Sequence, residues 1–337
     1  MPGAMNASSS TLPGHALFDD GKSAVELPAC DHYAGVEVRM RKSLALQAEL
    51  GPVFDVTLDC EDGAPIGGEV EHAQLVAAMA NSSANAVGRC GVRVHPVDHP
   101  SFAADVATIV GGAASRLAYV MLPKVGSADD VDVAVAAIDA AGGAALPLHA
   151  LIETHAALRN VQTLAAHPRI ESLSFGLMDF VSAHRGAIPV SAMTVDGQFS
   201  HPLVVRAKLE IAAACHGFAK TPSHCVVTEF ADLAVIATAA RRAARELGYT
   251  RMWSIHPNQI RPIVAAFQPE AAEVDEAITI LDAAARAEWA PIRRGDVLHD
   301  RASYRYFWRV LSRAARAPDG LADDVRRHFF GIQAGGS

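Results

Sequence analysis

Short β-branched or apolar runs alternate with longer stretches of helical periodicity along most of this chain. The runs fall at residues 25–28, 53–58, 91–94, 119–122, 148–152, 172–175, 223–226 and 252–255. Helix-like segments follow them, clearest at 68–85, 128–141, 155–166, 202–216 and 229–247. Such alternation marks a parallel sheet with crossover helices. Eight units predict a (β/α)8 TIM barrel over residues 16–268, close to the usual size of about 250 residues. An open doubly wound sheet is the competing architecture, because periodicity does not report closure. Residues 1–15 lack both the basic and the apolar region of a signal peptide and read as a disordered arm. Beyond Pro269 the helical pattern resumes at 271–289, 302–316 and 321–330. Residues 269–337 are therefore expected to form a helical extension without strands, serving as lid or oligomer contact, with 291–301 as a hinged cover. Its seven aromatics, Trp289, Tyr304, Tyr306, Phe307, Trp308, Phe329 and Phe330, suit interface or domain packing better than a binding box.

Composition narrows the function classes. Half of the 337 residues are apolar and 20% are charged, the reverse of a disordered composition. With 29 Lys+Arg against 37 Asp+Glu, a formal charge of −8, the chain lacks the basic footprint of a nucleic-acid binder. No apolar run approaches the roughly 18 residues of a membrane span. Cys30, Cys60, Cys90, Cys215 and Cys225 are scattered, with neither C-x-x-C nor zinc spacing, and read as small buried hydrophobes of a cytoplasmic protein.

The chemistry lies where strands end and loops begin, which is where barrels place catalysis. Strand 2 runs into Asp59-Cys60-Glu61-Asp62-Gly63, strand 3 into Arg93-Val94-His95, and strand 4 into Pro123-Lys124. Strand 5 ends at Glu153-Thr154 and strand 6 runs into Gly176-Leu177-Met178-Asp179. On adjacent strands the carboxylates of Glu153 and Asp179 would converge and repel, unless a proton or a cation separates them. Magnesium suits two carboxylates completed by water and substrate oxygens; a helix cap or a salt bridge is the plainer account of the same residues. Arg93, in an otherwise apolar strand, demands an anion. The anion is either Glu61 or Asp62, or a substrate carboxylate held bidentately. Lys124 reads as a charged structural lysine in preference to a Schiff-base nucleophile, because so many acids surround it. No G-x-S-x-G elbow and no Gly-rich phosphate motif is present.

Taken together, these strings resemble the citrate lyase beta-subunit-like proteins and malyl-CoA lyases of the phosphoenolpyruvate/pyruvate-dependent barrel superfamily. The resemblance rests on Leu58-Asp59-Cys60-Glu61-Asp62-Gly63-Ala64-Pro65, Val92-Arg93-Val94, Leu122-Pro123-Lys124-Val125, Ala150-Leu151-Ile152-Glu153-Thr154, Phe175-Gly176-x-x-Asp179-Phe180 and Ile255-His256-Pro257-Asn258-Gln259-Ile260. It covers about residues 24–270. It implies a carbon–carbon lyase dependent on Mg2+, with Mn2+ as the alternative ion, acting on a coenzyme A thioester and a 2-oxo acid such as oxaloacetate or glyoxylate. Glu153 and Asp179 would be the metal ligands, Arg93 and Lys124 would bind substrate, and Glu61 and Asp62 would order metal-bound waters and Arg93. A homo-oligomer, trimer or hexamer, is implied. A malyl-CoA-type thioesterase, a free 2-oxo acid aldolase, and a citrate lyase beta-like subunit needing acyl-carrier partners are the alternatives.

The departures from the family pattern are definite. His95 replaces Asn after V-R-V, Gly126 replaces Glu after L-P-K-V, and Glu71-His72-Ala73 stands where K-x-x-A-R is usual. The family's opening R-S-x-L-F-V-P-G is matched to residues 24–30, and an unusual loop spans 189–200. Malyl-CoA lyases take a general base from a Gly-(x)3-Asp segment of a neighbouring subunit. Here Asp300, one position late after Gly295, is the candidate, against a surface acid or helix cap.

Overall fold

The computed structural model describes residues 13–18, 27–317 and 320–331. Eight parallel strands close into a barrel: β1 Cys30–Ala34, β2 Phe54–Asp59, β3 Cys90–Arg93, β4 Val120–Leu122, β5 Leu148–Ile152, β6 Ile170–Phe175, β7 Thr221–His224 and β8 Arg251–Ser254. Each strand pairs with the next, and β8 returns to β1 with Cys30 opposite Met252. Closure excludes the open doubly wound sheet.

Strand side chains alternate between two interiors. Phe54, Val56 and Leu58 of β2, Cys90 and Val92 of β3, and Leu148, Ala150 and Ile152 of β5 join the large cluster between sheet and helices. Their alternate neighbours fill the barrel itself. Near the strand starts, Arg251 bridges Asp55 at 2.6 Å and Asp31 at 3.1 Å, all three fully buried. Arg89 grips Asp55 at 2.7 and 2.9 Å, and Tyr119 Oη donates to Asp31 at 2.9 Å. One step further along the strands, Tyr33, Met121, Leu151, Val226 and Trp253 make an apolar plug. The polar groups at the C-terminal strand ends thus stand on a packed floor.

Two sequence expectations about boundaries fail. The first strand is Cys30–Ala34, not 25–28; residues 25 and 26 lie outside the described set, and Leu27 and Pro28 are not in a strand. The element was hidden because Asp31 and His32 break its apolar pattern, and Asp31 is neutralised by Arg251, a partner from the far end of the barrel sequence. The opening motif matched to 24–30 therefore does not coincide with β1.

The chain divides into two compact units, residues 24–267 and residues 1–23 with 268–337. In the second unit, helices Ala271–Arg286, Arg301–Ala314 and Asp323–Phe330 surround a core containing Ile280, Leu281, Tyr304, Phe307, Leu311 and Phe329. Trp289, Trp308 and Phe330 pack against it, whereas Tyr306 is exposed. The aromatic enrichment is thus mostly the core of this unit. The extension is not purely helical: β9 Ile292–Arg294 and β10 Val297–His299 form an antiparallel hairpin. Its two-residue turn, Gly295-Asp296, needs the positive φ of 58° that Gly295 supplies. Nor is the arm wholly irregular. Residues 1–12 lie outside the described set, but Pro13–Leu17 is helical and buries Leu17 in this same core. Among the described residues, no helix is long and apolar enough to cross a membrane.

Candidate active site

Asp59 organises the C-terminal mouth of the barrel. It ends β2 directly opposite Arg93 at the end of β3. Its carboxylate accepts Nε of Arg93 at 2.6 Å and Nη2 at 2.5 Å, forming a bidentate pair. The same two oxygens accept the backbone N–H groups of Glu61 at 3.0 Å and Gly63 at 2.9 Å, which fixes the acidic loop. The remaining arm of Arg93, Nη1, lies 2.8 Å from Glu61 Oε2, and its guanidinium sits 5.3 Å from the centre of the Tyr33 ring. Burial disfavours the Arg93 cation, but Asp59 and Glu61 more than reverse this, so it stays charged. Of the two structural partners expected for Arg93, Glu61 is one and Asp62 is not, and Asp59 is the main partner.

Lys124 follows β4 in the left-handed region at φ 52°, a conformation a lysine adopts at a cost and one that clusters at functional sites. The turn delivers its backbone N–H to Glu153 Oε1 at 2.8 Å and its ammonium to Glu61, with Asp62 at 3.6 Å. Burial works against the ammonium, yet the hydrogen bond and charge of Glu61, aided by Asp62 and Asp179, raise its pKa overall. A cation so held is a poor nucleophile, which removes the Schiff-base role.

Glu153 follows β5 and is 2% exposed. The helix cap at this corner is Thr154, whose hydroxyl accepts Ala157 N–H at 2.9 Å, so Glu153 is not needed for that purpose. Its pKa is pushed up to about 8, first by burial, then by the charges of Asp179 and Glu61. Asp179 projects from the first turn of helix Leu177–Ser182 and is partly exposed. Among the described residues neither carboxylate makes an ion pair within 4 Å. With Asp59 spent on Arg93 and Glu61 on Lys124, Glu153 and Asp179 are left as neighbouring carboxyl groups with no ion-pair partner among the described residues. No three or more His, Cys, Asp or Glu side chains of the described residues form a complete metal cage. The arrangement fits a hard ion that takes a few carboxylates and completes its shell from water and ligand oxygens.

Five of the six residues singled out from sequence, Arg93, Glu61, Lys124, Glu153 and Asp179, share this network. Asp62 lies at its exposed edge with 57% of its side chain accessible. The residue missed is Asp59, whose facing position to Arg93 was available by aligning the ends of strands 2 and 3. Asp300 is the N-cap of Arg301–Ala314, accepting the N–H groups of Ala302 at 3.0 Å and Ser303 at 3.2 Å, as the helix-cap reading has it.

The backbone is fitted tightly to these groups. A Cβ on Gly176 would lie 2.2 Å from Glu153 Oε2 and 2.5 Å from its Cβ. Gly176→Ala is therefore expected to push the Glu153 carboxylate aside and weaken Mg2+ binding at least tenfold, with most of the barrel intact. Calorimetric titration and near-UV circular dichroism check the two halves of that statement.

A closed parallel barrel with acids, a buried Arg and a lysine gathered at its C-terminal mouth defines the class of (β/α)8 barrels that carry their chemistry at the C-terminal strand ends. Comparison with known proteins places the chain within it. The HpcH/HpaI aldolase/citrate lyase family model matches residues 46–257, and the chain belongs to that family. It is 35% identical over 223 residues to the L-malyl-CoA/β-methylmalyl-CoA lyase of Cereibacter sphaeroides (strain ATCC 17029 / ATH 2.4.9), covering 60% of this chain and 70% of that protein. A crystal structure of a citrate lyase from Burkholderia xenovorans LB400 is 53% identical, covers 95% of this chain and 99% of its own, and superposes with a TM-score of 0.84. The protein CitE of Mycobacterium tuberculosis, solved in complex with magnesium, acetoacetate and coenzyme A, is 21% identical. It covers 86% of this chain and 99% of its own at a TM-score of 0.68, a likeness of fold.

Proposed function

We propose that this chain is a Mg2+-dependent carbon–carbon lyase that cleaves, or forms, a β-hydroxyacyl-CoA, giving an acyl-CoA and a 2-oxo acid such as oxaloacetate or glyoxylate. The observation carrying this reading is the buried Glu153 carboxylate beside Asp179, with no cationic side chain of the described residues paired to either. Arg93 stands on the neighbouring network with a guanidinium that Asp59 holds flat. When bound, a divalent cation supplies Lewis-acid polarisation of the oxygen that becomes the ketone. The chain's own residues do the rest. Glu153 and Asp179 are the ligands, and Lys124 N–H keeps Glu153 aimed. Arg93 presents the donors not used by Asp59 and Glu61 to the oxo-acid carboxylate. Lys124 and Glu61 fix the rim, and Asp62 faces solvent where ordered water enters.

The malyl-CoA lyase relatives favour a self-contained lyase over a subunit that depends on an acyl carrier. The five cysteines are unpaired and buried, in keeping with a cytoplasmic enzyme. Val297, Leu298 and Tyr306 of the second unit are exposed, in keeping with a homo-oligomer. Purified protein alone, given malyl-CoA, citramalyl-CoA or citryl-CoA with Mg2+, is expected to release a 2-oxo acid, trapped as its phenylhydrazone, and to stop with EDTA. Release of free thiol without oxo acid would instead identify a thioesterase. Turnover only after addition of an acyl-carrier protein would identify the subunit role. Light scattering on the same sample reads the oligomeric state.

A further inference from the structure

We propose that Tyr33, Val226 and Trp253 select the 2-oxo acid by packing against the chain beyond its ketone, so that the preferred acid ends in an alkyl group and not in a second carboxylate. The inference deepens the carbon–carbon lyase reading and rests on it. The mouth of the barrel has two unlike arcs. From β2 to β6 it carries Asp59, Arg93, Lys124, Glu153 and Asp179. From β7 through β8 to β1, the remaining strands of the closed ring, it carries Val226, Trp253 and Tyr33.

These three side chains belong to the apolar plug but are not sealed within it. Met121 and Leu151 of the same cluster are 0% exposed, whereas Val226 keeps 5%, Tyr33 6% and Trp253 9%, comparable with the 5% of Arg93. Beneath them Asp31, Thr57, Tyr119, His149 and Arg251 are fully enclosed, so the accessible edge of the plug turns to the C-terminal mouth. Tyr33 and Trp253 stand on adjacent strands with their rings 4.6 Å apart at 55°. The Tyr33 ring also lies 5.3 Å from the Arg93 guanidinium, which joins this arc to the group that would hold the substrate carboxylate.

What this arc offers is carbon. The Tyr33 hydroxyl and the Trp253 indole N–H are enclosed and make no hydrogen bond among the described residues, so neither polar tip meets the mouth. The titratable groups of the same strands are spent elsewhere. Asp31 pairs with Arg251 and accepts Tyr119 Oη. His32 Nδ1 lies 2.7 Å from Ser254 Oγ, and His224 stacks on Phe199 with ring centres 5.4 Å apart, in the layer between sheet and helices. The wall is also held in place. Gln198, fully buried in the unusual 189–200 loop, donates to Val226 O at 3.1 Å, and Gln259 donates to Val227 O at 2.6 Å.

A 2-oxo acid with its carboxylate on Arg93 and its ketone turned to the charged arc has one substituent left for the other arc. An alkyl group there loses water against aromatic and valine carbon, which tightens binding about fourfold for each carbon buried. A second carboxylate in the same place would be desolvated with no donor of this arc to receive it. Arg93 does not supply one, since its guanidinium is already shared among Asp59, Glu61 and the first carboxylate.

The test is calorimetric titration, with Mg2+ present, of pyruvate, 2-oxobutyrate and oxaloacetate, the last two being chains of equal carbon count that end in methyl and in carboxylate. 2-Oxobutyrate is expected to bind about fourfold more tightly than pyruvate and roughly tenfold or more tightly than oxaloacetate. Its binding is also expected to change the tryptophan fluorescence. That change should vanish in Trp253→Phe, because Trp289 and Trp308, the other two tryptophans, belong to the second unit. Val226→Ala should lower the preference for 2-oxobutyrate over oxaloacetate severalfold with Mg2+ affinity unchanged, and Tyr33→Phe, which keeps the ring, should preserve it. Oxaloacetate binding as tightly as 2-oxobutyrate, a preference untouched in Val226→Ala, or a fluorescence change that survives in Trp253→Phe overturns the proposal. Condensation of an acyl-CoA with oxaloacetate would then leave the lyase reading in place, whereas absence of carbon–carbon bond formation with all three acids overturns both.

Discussion

Glu153→Gln and Asp179→Asn are each expected to abolish calorimetrically detectable Mg2+ binding and lyase turnover, with the barrel still folded. The amide introduced by Glu153→Gln would keep an oxygen for the Lys124 N–H, so the local hydrogen bond survives. It would also relieve the repulsion from Asp179 and Glu61 that, with burial, holds the Glu153 pKa at about 8. A raised carboxyl pKa means that Glu153 carries a proton at neutral pH when no cation is bound. Cation binding must displace that proton, so apparent affinity should climb about tenfold per pH unit below about 8 and level off above it. Titrations in buffers of different ionisation enthalpy should register close to one proton released at pH 7. Affinity independent of pH between 6 and 8, or wild-type affinity in both variants, would remove Glu153 from the metal site.

Truncation experiments on the C-terminal extension need the unit boundary rather than the sequence boundary. A cut at 290 would leave helix Ala271–Arg286 with Ile280 and Leu281 stripped of their cover from Tyr304, Phe307 and Leu311. Aggregation of such a fragment would report exposed apolar surface, not a lost lid. The hairpin inside this unit went unread because strands of three residues with one exposed face leave too short a periodic signal. Its Gly-Asp turn was the one local clue.

What the sequence conceals elsewhere follows from long-range charge pairing. Strands β2 to β6 stand out because their sheet–helix faces carry Val, Leu, Ile, Phe and Cys at alternate positions, whereas β7, Thr221–His224, was legible only from the Cys225-Val226 that follow it. β1 does not stand out, since a strand whose inward residue is Asp31 looks like a loop until Arg251 is brought beside it by barrel closure. The mouth was legible for the same reason that β1 was not: acids and bases at the ends of otherwise apolar runs have no role in the layer between sheet and helices. Their pairing was the hidden part. Arg93 has Asp59, Glu61 and Asp62 within the same loop, and only the parallel register that sets Asp59 opposite Arg93 decides among them.

That pairing also sets a large stability effect in the barrel. Asp59→Ala leaves Arg93, whose side chain is only 6% exposed, with Glu61 alone, and frees the loop N–H groups of Glu61 and Gly63. Breaking a buried ion pair from one side costs about 3–5 kcal/mol, because the surviving charge stays desolvated. The thermal midpoint of the barrel should fall accordingly. Arg93→Lys is expected to behave differently. An ammonium can still neutralise Asp59, so the fold should hold, but it cannot span both Asp59 oxygens, reach Glu61 and offer a fork to a substrate carboxylate. Loss of that fork should weaken oxaloacetate and glyoxylate binding by about 2 kcal/mol, or roughly 30-fold, with Mg2+ affinity little changed. Replacing both partners with apolar residues, Asp59→Leu with Arg93→Met, should recover much of the stability lost in Asp59→Ala, because no buried charge is then orphaned, yet recover no oxo-acid affinity. If Arg93→Lys binds both acids as tightly as the wild type, Arg93 serves only to hold the Asp59 loop. Oxo-acid recognition must then fall to Lys124 and the cation.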